Sequence, residues 1–561
     1  MRNKKFTKML AIALSTTFAV GIVGCGRRDE DVKIDEGKTQ LYVNTFLAGL
    51  GDRWVQEYST AFEEFYKDTS FEEGKKGVQV IVDYTYSSGL DTIKNLVTTR
   101  SEVIWAEQAN YTQIVAADLA YDISDWVTEP LTEFGENVTI EDKMDESLLN
   151  YYKSVDGKVY TLPWFTYLKG VIYDLDIFEG KQSAGHGFYF AEDGGFTSGL
   201  EGQPKKAKGP DNVEGTYDDG LPATHEQFFK MMNEMIKYGI VPFSFPGMYE
   251  YYMDSFIVNL WTNDEGNAGM LMNNEYTGTA NNLVNVSGGV VSPIPATEIT
   301  NENAYMLLKS ESRYRAYEFA DKLVGNSRYY GEYSFNASQS QVQAEETFLY
   351  NVIDGKEKIA MLTDGVWWES EAYSIFETMA NSNSAYSRQN RRFGWMPMPF
   401  YKPAEGNEVR KQTIASETDT CVMVKKNIAP EKLELAKKYI QFTSTDKMLL
   451  EHAKKASAPR GLNISDMSIC DADLELTTYE KSVLDFKNNT TVIQVGGSNR
   501  FKWHTGFGFM DHFKVALIGG ATYNSPIMAF KNNKATPETF FNGVYTRQQQ
   551  QWANYLSTYN G

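Results

Sequence analysis

Cysteine is nearly absent. The 561 residues contain three, too few for a disulfide scaffold or a four-thiolate zinc site. Histidine is scarce too: five scattered residues without an HExxH spacing argue against a histidine metalloenzyme. Positive charge is in deficit. With 54 Lys+Arg against 74 Asp+Glu, the formal net charge is -20. Phosphate binding needs a basic face, so nucleic acid is excluded as a partner. Neither a GxSxG turn nor a GxxxxGK[ST] loop occurs. Beyond residue 25 no run is long and apolar enough to span a bilayer. There is no internal repeat and no heptad run. What is present is a globular composition, 42% hydrophobic and 23% charged. At roughly 100–200 residues per domain, the length suits two to four units. Aromatic side chains are plentiful, at 14% of the chain. Many rings with little metal, thiol or nucleophile chemistry is the pattern to explain.

The first residues point outward from the cell. Arg2, Lys4, Lys5 and Lys8 form a basic start, and Met9 to Gly24 is uncharged and mostly apolar. This is the layout of a secretory signal over residues 1–24, too short for a spanning helix. The segment Ile22-Val23-Gly24-Cys25-Gly26 resembles a bacterial lipobox, with Cys25 the lipid acceptor. The other reading of Cys25 is a core cysteine behind an ordinary signal. Residues 25–38 are polar, lack periodicity and read as a lipidated tether. Export permits a disulfide between Cys421 and Cys470, but free thiols fit equally well.

Alternating patterns follow. Gln40–Phe46, Val78–Tyr84 and Glu102–Glu107 read as strands. Between the first two lies a helix with a Trp54, Tyr58, Phe62 and Phe65 stripe. A further helix is expected near Asp91–Thr99. This order implies an α/β domain with a largely parallel sheet, whose ligands bind beyond the carboxyl ends of the strands. A second α/β unit has strands near Val159–Trp164 and Gly170–Tyr173. Its helix is capped by Thr224, with Gln227 three residues on. Lys358–Leu362 runs as a strand into Thr363-Asp364-Gly365. Thr420–Val424 is another strand, and Pro430 opens a helix at a favoured position. The insertion near 180–220 is glycine-rich and polar. Within it Asp211, Glu214, Asp218 and Asp219 gather among turns, which suits either a structural calcium or a polar surface loop. The spacing is not that of an EF-hand.

Five segments in order carry a resemblance: GLGDRWVQEYSTAFEEFY, GKVYTLPWFTYLKGVIYDLDIFE, LPATHEQFFKMMNEMIKYGIVPF, GKEKIAMLTDGVWW and APEKLELAKKYIQFTSTDKMLLEHAKKASAPRG. Together, behind the lipobox, they resemble an extracellular solute-binding lipoprotein of a bacterial ABC importer, carbohydrate-type family 1. The insertion and the long tail after Arg460 exceed its compact members. The resemblance implies an α/β, two-lobe periplasmic-binding-protein-like fold (type II), with lobes joined by a hinge of several crossings. Lobe 1 would take residues 39–162 and 398–458, and lobe 2 residues 163–397 and 459–561. It further implies a carbohydrate held between lobes, delivery to ABC permease subunits, and lipid attachment at the outer face of the cytoplasmic membrane. No cofactor is required by this reading and no turnover is expected.

Sugars offer C–H faces to aromatic rings and hydroxyl rims to carboxylates, amides and Arg. Trp367 and Trp368 end a predicted strand; neighbours point different ways, so at least one is expected to face the ligand, the other reading being that both are core. Trp164 and Tyr167 sit at the lobe crossing, as ligand contacts or as hinge packing. Glu107 and Gln108 end a first-lobe strand beside Trp105, as rim groups or as solvated turn. Thr45 and Phe46 end the first strand. Ser416–Asp419 falls where the family places cleft-lining residues. Arg460 is a hydroxyl clamp or a hinge ion pair. Trp503 and His504 extend the cleft or simply pack. Two other functions stay open: a secreted glycoside hydrolase with paired carboxylates, for which Glu369 and Glu371 are not diagnostic, and a peptide or other small-solute binder on the same scaffold.

Overall fold

The computed structural model describes residues 32–47, 49–85, 96–107, 111–154, 156–331, 333–417, 420–494, 501, 505–508 and 513–560. The readings at Cys25, Gln108, Asp419, Trp503 and His504, and most of the Asp91–Thr99 helix, lie outside them.

Three parallel strands open the first sheet. Thr39–Phe46 lies between Val78–Thr85 and Val103–Glu107, with Thr39 opposite Val78 and Val43 opposite Val103. One reversed strand follows, and beyond it a short strand that again runs in the direction of the first three. Thr420–Val424 places Thr420 opposite Glu107, and Thr161–Pro163 pairs beyond it. The carboxyl ends at Phe46 and Glu107 therefore share one edge with the start of the return strand at Thr420. The helix Arg53–Phe65 packs Trp54, Val55, Tyr58 and Phe62 into the core, as their spacing requires. Phe65 departs from the expected stripe. It is 47% exposed in the last turn, where its ring borders Tyr66, Phe134 and Phe442.

The second sheet runs Phe393–Met396, Lys169–Asp174, Ile359–Gly365, Val241–Ser244. Lys169–Asp174 is antiparallel to both neighbours, with Gly365 opposite Lys169. Lys169 and Gly365 thus close one edge of this sheet. On the His225–Lys237 helix, Thr224 Oγ1 accepts from the Gln227 N–H at 3.2 Å, as expected of the cap. The Gln227 side chain accepts from Ala223 N–H instead of from the cap residue.

Three chain segments cross between the sheets side by side. Phe165 bridges Arg460 in antiparallel register. Thr166 N donates to Pro459 O and Gly461 N to Trp164 O, both at 3.0 Å. Thr420 Oγ1 donates to Phe165 O at 2.6 Å. The Gln412–Ser416 strand falls within the span expected for lobe 1, yet it pairs with Thr490–Gln494. Its other edge is closed by side chains of the Tyr251–Glu275 helix. Asn259 Oδ1 accepts from Ala415 N and Asn263 Oδ1 from Thr413 N, while their amides donate to Lys169 O and Met398 O. Cys421 and Cys470 are buried and are not joined in a disulfide. Among the described residues, no helix is long and apolar enough to cross a membrane.

Candidate functional site

The two sheet edges face each other across the crossings. From the first come Thr45, Phe46 and Glu107; from the second come Lys169, Asp364 and the turn to Trp367. Thr45 is buried, with Oγ1 donating to Phe46 O at 3.3 Å. Phe46 is half-buried. Trp105 lies behind them in the core, in edge contact with Trp54 at 5.1 Å.

Glu107 and Lys169 give this gap its charge. Burial pushes the Glu107 carboxyl up to about 7, and the Lys169 ammonium pulls it back in part. Burial pushes the Lys169 ammonium down, against the pull of Glu417, Asp364 and Glu107, while Lys514 adds to the lowering. These groups come from both lobes, so Lys169 feels carboxylates on either side. Its Nζ also lies 4.4 Å from the ring centroid of Tyr251, 5.0 Å from Tyr167 and 5.3 Å from Tyr252. Three rings around one cation stabilise the charge without neutralising it. Glu417 Oε2 accepts from Ser255 Oγ at 2.8 Å, tying the return segment to the long helix.

Trp367 lies where the lobes touch. Its indole is 4.8 Å from the Tyr167 ring and 6.1 Å from Phe165. Gly365 lies against the same indole, with no room for a Cβ, so this position in the turn requires glycine. From the first lobe, Gly49 approaches so closely that an added Cβ would stand 2.5 Å from Trp367 Cδ1. Next to it, Ser370 Oγ donates to Leu50 O at 3.3 Å, and the Arg53 guanidinium lies 4.2 Å from the Tyr373 ring centroid. The lobes are therefore apposed, with Trp367 between Gly49 and Gly365.

Other expected contacts lie away from this surface. Trp368 is fully buried among Phe348, Phe376, Phe393 and Tyr479. It belongs to the core, because the helix that begins there turns it inward. Trp164 is equally buried, against Trp54 at 5.3 Å, and its Nε1–H donates to His452 Nε2 at 3.3 Å. Arg460 is buried too. Its guanidinium donates to the carbonyls of Trp164, Pro163 and Thr443 at 2.8, 3.2 and 3.2 Å. It satisfies backbone acceptors where the crossing chains leave the sheet, so it is a hinge group and not a clamp on ligand. Of the two hinge tryptophan and tyrosine candidates, only Tyr167 reaches the gap.

The acidic loop is largely satisfied by its own donors, although Asp219 Oδ1 is buried without a partner. Asp218 accepts from Asp211 N at 2.9 Å and Thr216 Oγ1 at 2.8 Å. Asp211 accepts from Val213 N, Asp219 accepts from Gly215 N, and Glu214 pairs with Lys205. Among the described residues, three carboxylates converge elsewhere: Glu345, Asp364 and Glu371 bring oxygens within 4.8 Å of one another. Glu369 is not part of that group. It is buried with Arg388 at 3.1 Å and accepts from Thr477 Oγ1 at 2.9 Å.

Lys169, Tyr251, Tyr252, Ser255 and Glu345 escaped the sequence reading. The run of tyrosines at 249, 251 and 252 was the available signal for the helix start. Nothing local marked Lys169 beyond its place two residues after Tyr167.

No protein-family model and no curated protein matches the sequence. Solved structures do match. A chitin oligosaccharide binding protein aligns with a TM-score of 0.51 at 12% identity, covering 92% of this chain and 99% of its own. The bacterial solute receptor AcbH, described as preferring β-D-galactopyranose, gives 0.50 at 13%, covering 93% and 99%. Maltose-bound MalE3 of T. maritima gives 0.50 at 14%, covering 91% and 99%. At such identities the likeness is one of fold. This chain has the two-lobe α/β fold of these binding proteins over nearly its whole described length.

Proposed function

We propose that this protein is an extracellular binding protein that captures a sugar or oligosaccharide between its lobes and passes it to the permease of an ABC importer. The observation that carries the reading is the composition of the gap. Rings of Trp367, Tyr167 and Tyr251 stand beside Glu107, Lys169 and Glu417 at the facing edges of two sheets. Flat apolar faces with a few convergent polar groups suit carbohydrate. The structural neighbours bind chitin oligosaccharide, galactopyranose and maltose, so the fold supports the class and leaves the particular sugar open. Binding is reversible and near micromolar, about -8 kcal/mol, with no bond cleaved. Cys25 carries the lipid that keeps the protein at the outer face of the membrane, and Cys25→Ser releases it into the medium.

A thermal-shift screen across mono- and oligosaccharides, with peptides as a parallel arm, tests this. Saturable stabilisation by a carbohydrate recovered intact supports the reading. Released reducing ends would favour a hydrolase instead. Stabilisation by peptides alone would remove the sugar assignment and keep the two-lobe binder.

A further inference from the structure

Glu345, Asp364 and Glu371 are brought together from three elements. Glu345 is on the Gln341–Leu349 helix, Asp364 near the end of the Ile359–Gly365 strand, and Glu371 closes the short helix after Trp367. Their oxygens lie within 4.8 Å of one another. That is the geometry of a shared cation: two oxygens each about 2.4 Å from one calcium are at most about 4.8 Å apart. Glu345 has no exposed surface, and neither of its carboxylate oxygens has a hydrogen-bond partner. Asp364 is equally buried, with Oδ1 accepting from Gly365 N and Oδ2 without a partner. Glu371 accepts from Gln341 Nε2 through Oε1, and its carboxylate also interacts with the Trp367 side chain. Among the described residues, no Lys, Arg or His forms an ion pair with any of the three. Gln341, one helical turn before Glu345, adds an amide oxygen that is buried and unpartnered.

Buried carboxylates in this arrangement require neutralisation. We infer that Glu345, Asp364 and Glu371 bind one oxygen-preferring divalent cation, calcium foremost, at the foot of the Trp367 turn. Carboxylate and amide oxygens without thiol or imidazole select calcium or magnesium over transition metals. Burial raises all three carboxyls above their usual range; neighbouring carboxylates push Glu345 and Asp364 further up, whereas hydrogen bonding to Gln341 and Trp367 pulls Glu371 back. The position gives the ion a role. Asp364 and Glu371 flank Trp367 in sequence, and Glu371 Oε2 lies 3.2 Å from where a Cβ on Gly49 would stand. An ion bound there fixes the turn carrying Trp367 and the contact between lobes. This second step rests on the proposed carbohydrate site; the cation site does not.

Chelator-treated protein titrated with calcium chloride, and separately with magnesium chloride, tests the site without any sugar. One ion per chain and a higher Tm with calcium are expected. Glu345→Gln should abolish uptake and make Tm insensitive to chelator. If that variant does not fold, Glu371→Gln, at the less buried margin, supplies the same readout. The Asp211→Asn/Asp219→Asn variant of the acidic loop should keep the ion. Absence of uptake at millimolar ion, retention of the ion by both Glu345→Gln and Glu371→Gln, or its loss in the loop variant would overturn the assignment. Carbohydrate stabilisation measured with and without calcium then separates the two ideas. Ion uptake without any carbohydrate binding would remove only the sugar reading. Carbohydrate binding without ion uptake would remove only the cation site.

Discussion

Gly49→Ala perturbs closure of the lobes at a single point. The new methyl would stand 2.5 Å from Trp367 Cδ1 and 3.2 Å from Glu371 Oε2, where ordinary contact begins near 3.4 Å. The indole has little freedom to retreat, because Gly365 lies against it and the Tyr167 ring is 4.8 Å away. The lobes must therefore separate by nearly an ångström along this contact. Overpacking of this kind costs about 1–3 kcal/mol. At 1.4 kcal/mol per tenfold, the closed form falls about 5- to 150-fold relative to the open one. Small-angle scattering reads the result as a larger radius of gyration, and ligand titration reads it as a matching loss of affinity. In a Trp367→Ala background the obstacle is gone, and Gly49→Ala should leave the scattering unchanged. An unaltered radius in the single variant, or an equal shift in both backgrounds, would refute the claim that Trp367 and Gly49 meet across the gap.

Acid should weaken the hinge through His452. Its Nε2 accepts from Trp164 and its Nδ1–H donates to Ala458 O at 2.8 Å, so the ring is held neutral. Burial, with Arg460 nearby, pushes its pKa down to about 3, against a slight rise from the Ala458 carbonyl. Between pH 6.5 and 3 the unfolded chain binds more protons than the folded one, so this contribution is fully present above 6.5. It is lost at up to about 1.4 kcal/mol per unit as pH falls through that window. The wild-type stability minus that of His452→Gln, followed by urea denaturation from pH 7.5 to 4.5, should show this slope. A pH-independent difference would contradict it. Asn259→Leu removes two buried hydrogen bonds, one of them to the carbonyl of Lys169. It should cost about 2–4 kcal/mol and weaken ligand binding as well; a loss under 0.5 kcal/mol in denaturation would show that the strand does not depend on it.

The strands were legible because alternation and turn residues are local signals. Strand order was not legible, because it rests on pairings between segments far apart in the chain, such as Thr420–Val424 with Val103–Glu107. Trp367 and Trp368 show where local reading stops. Their adjacency implied opposite directions, but only packing against Phe348 and Tyr479 decides which ring is core. Glu345 lies far from Asp364 in sequence, and helix packing alone unites them. Asn259 and Asn263 are one helical turn apart, a spacing that reads as a wet stripe. In the fold that stripe takes the place of a neighbouring strand. Trp164 and Arg460 lie where two chain segments pair, and that pairing buries its own polar backbone. The side chains there serve that backbone before any ligand.

The most direct measurement is calorimetric titration of the purified protein with the carbohydrate selected by the thermal screen, followed by chemical analysis of the recovered ligand. The account predicts one site near micromolar affinity and intact sugar. It also predicts at least a tenfold loss in Trp367→Ala, about 1.4 kcal/mol, from removing one stacked ring. No heat with any carbohydrate, a cleaved product, or unchanged affinity in Trp367→Ala would contradict capture between the lobes at this ring.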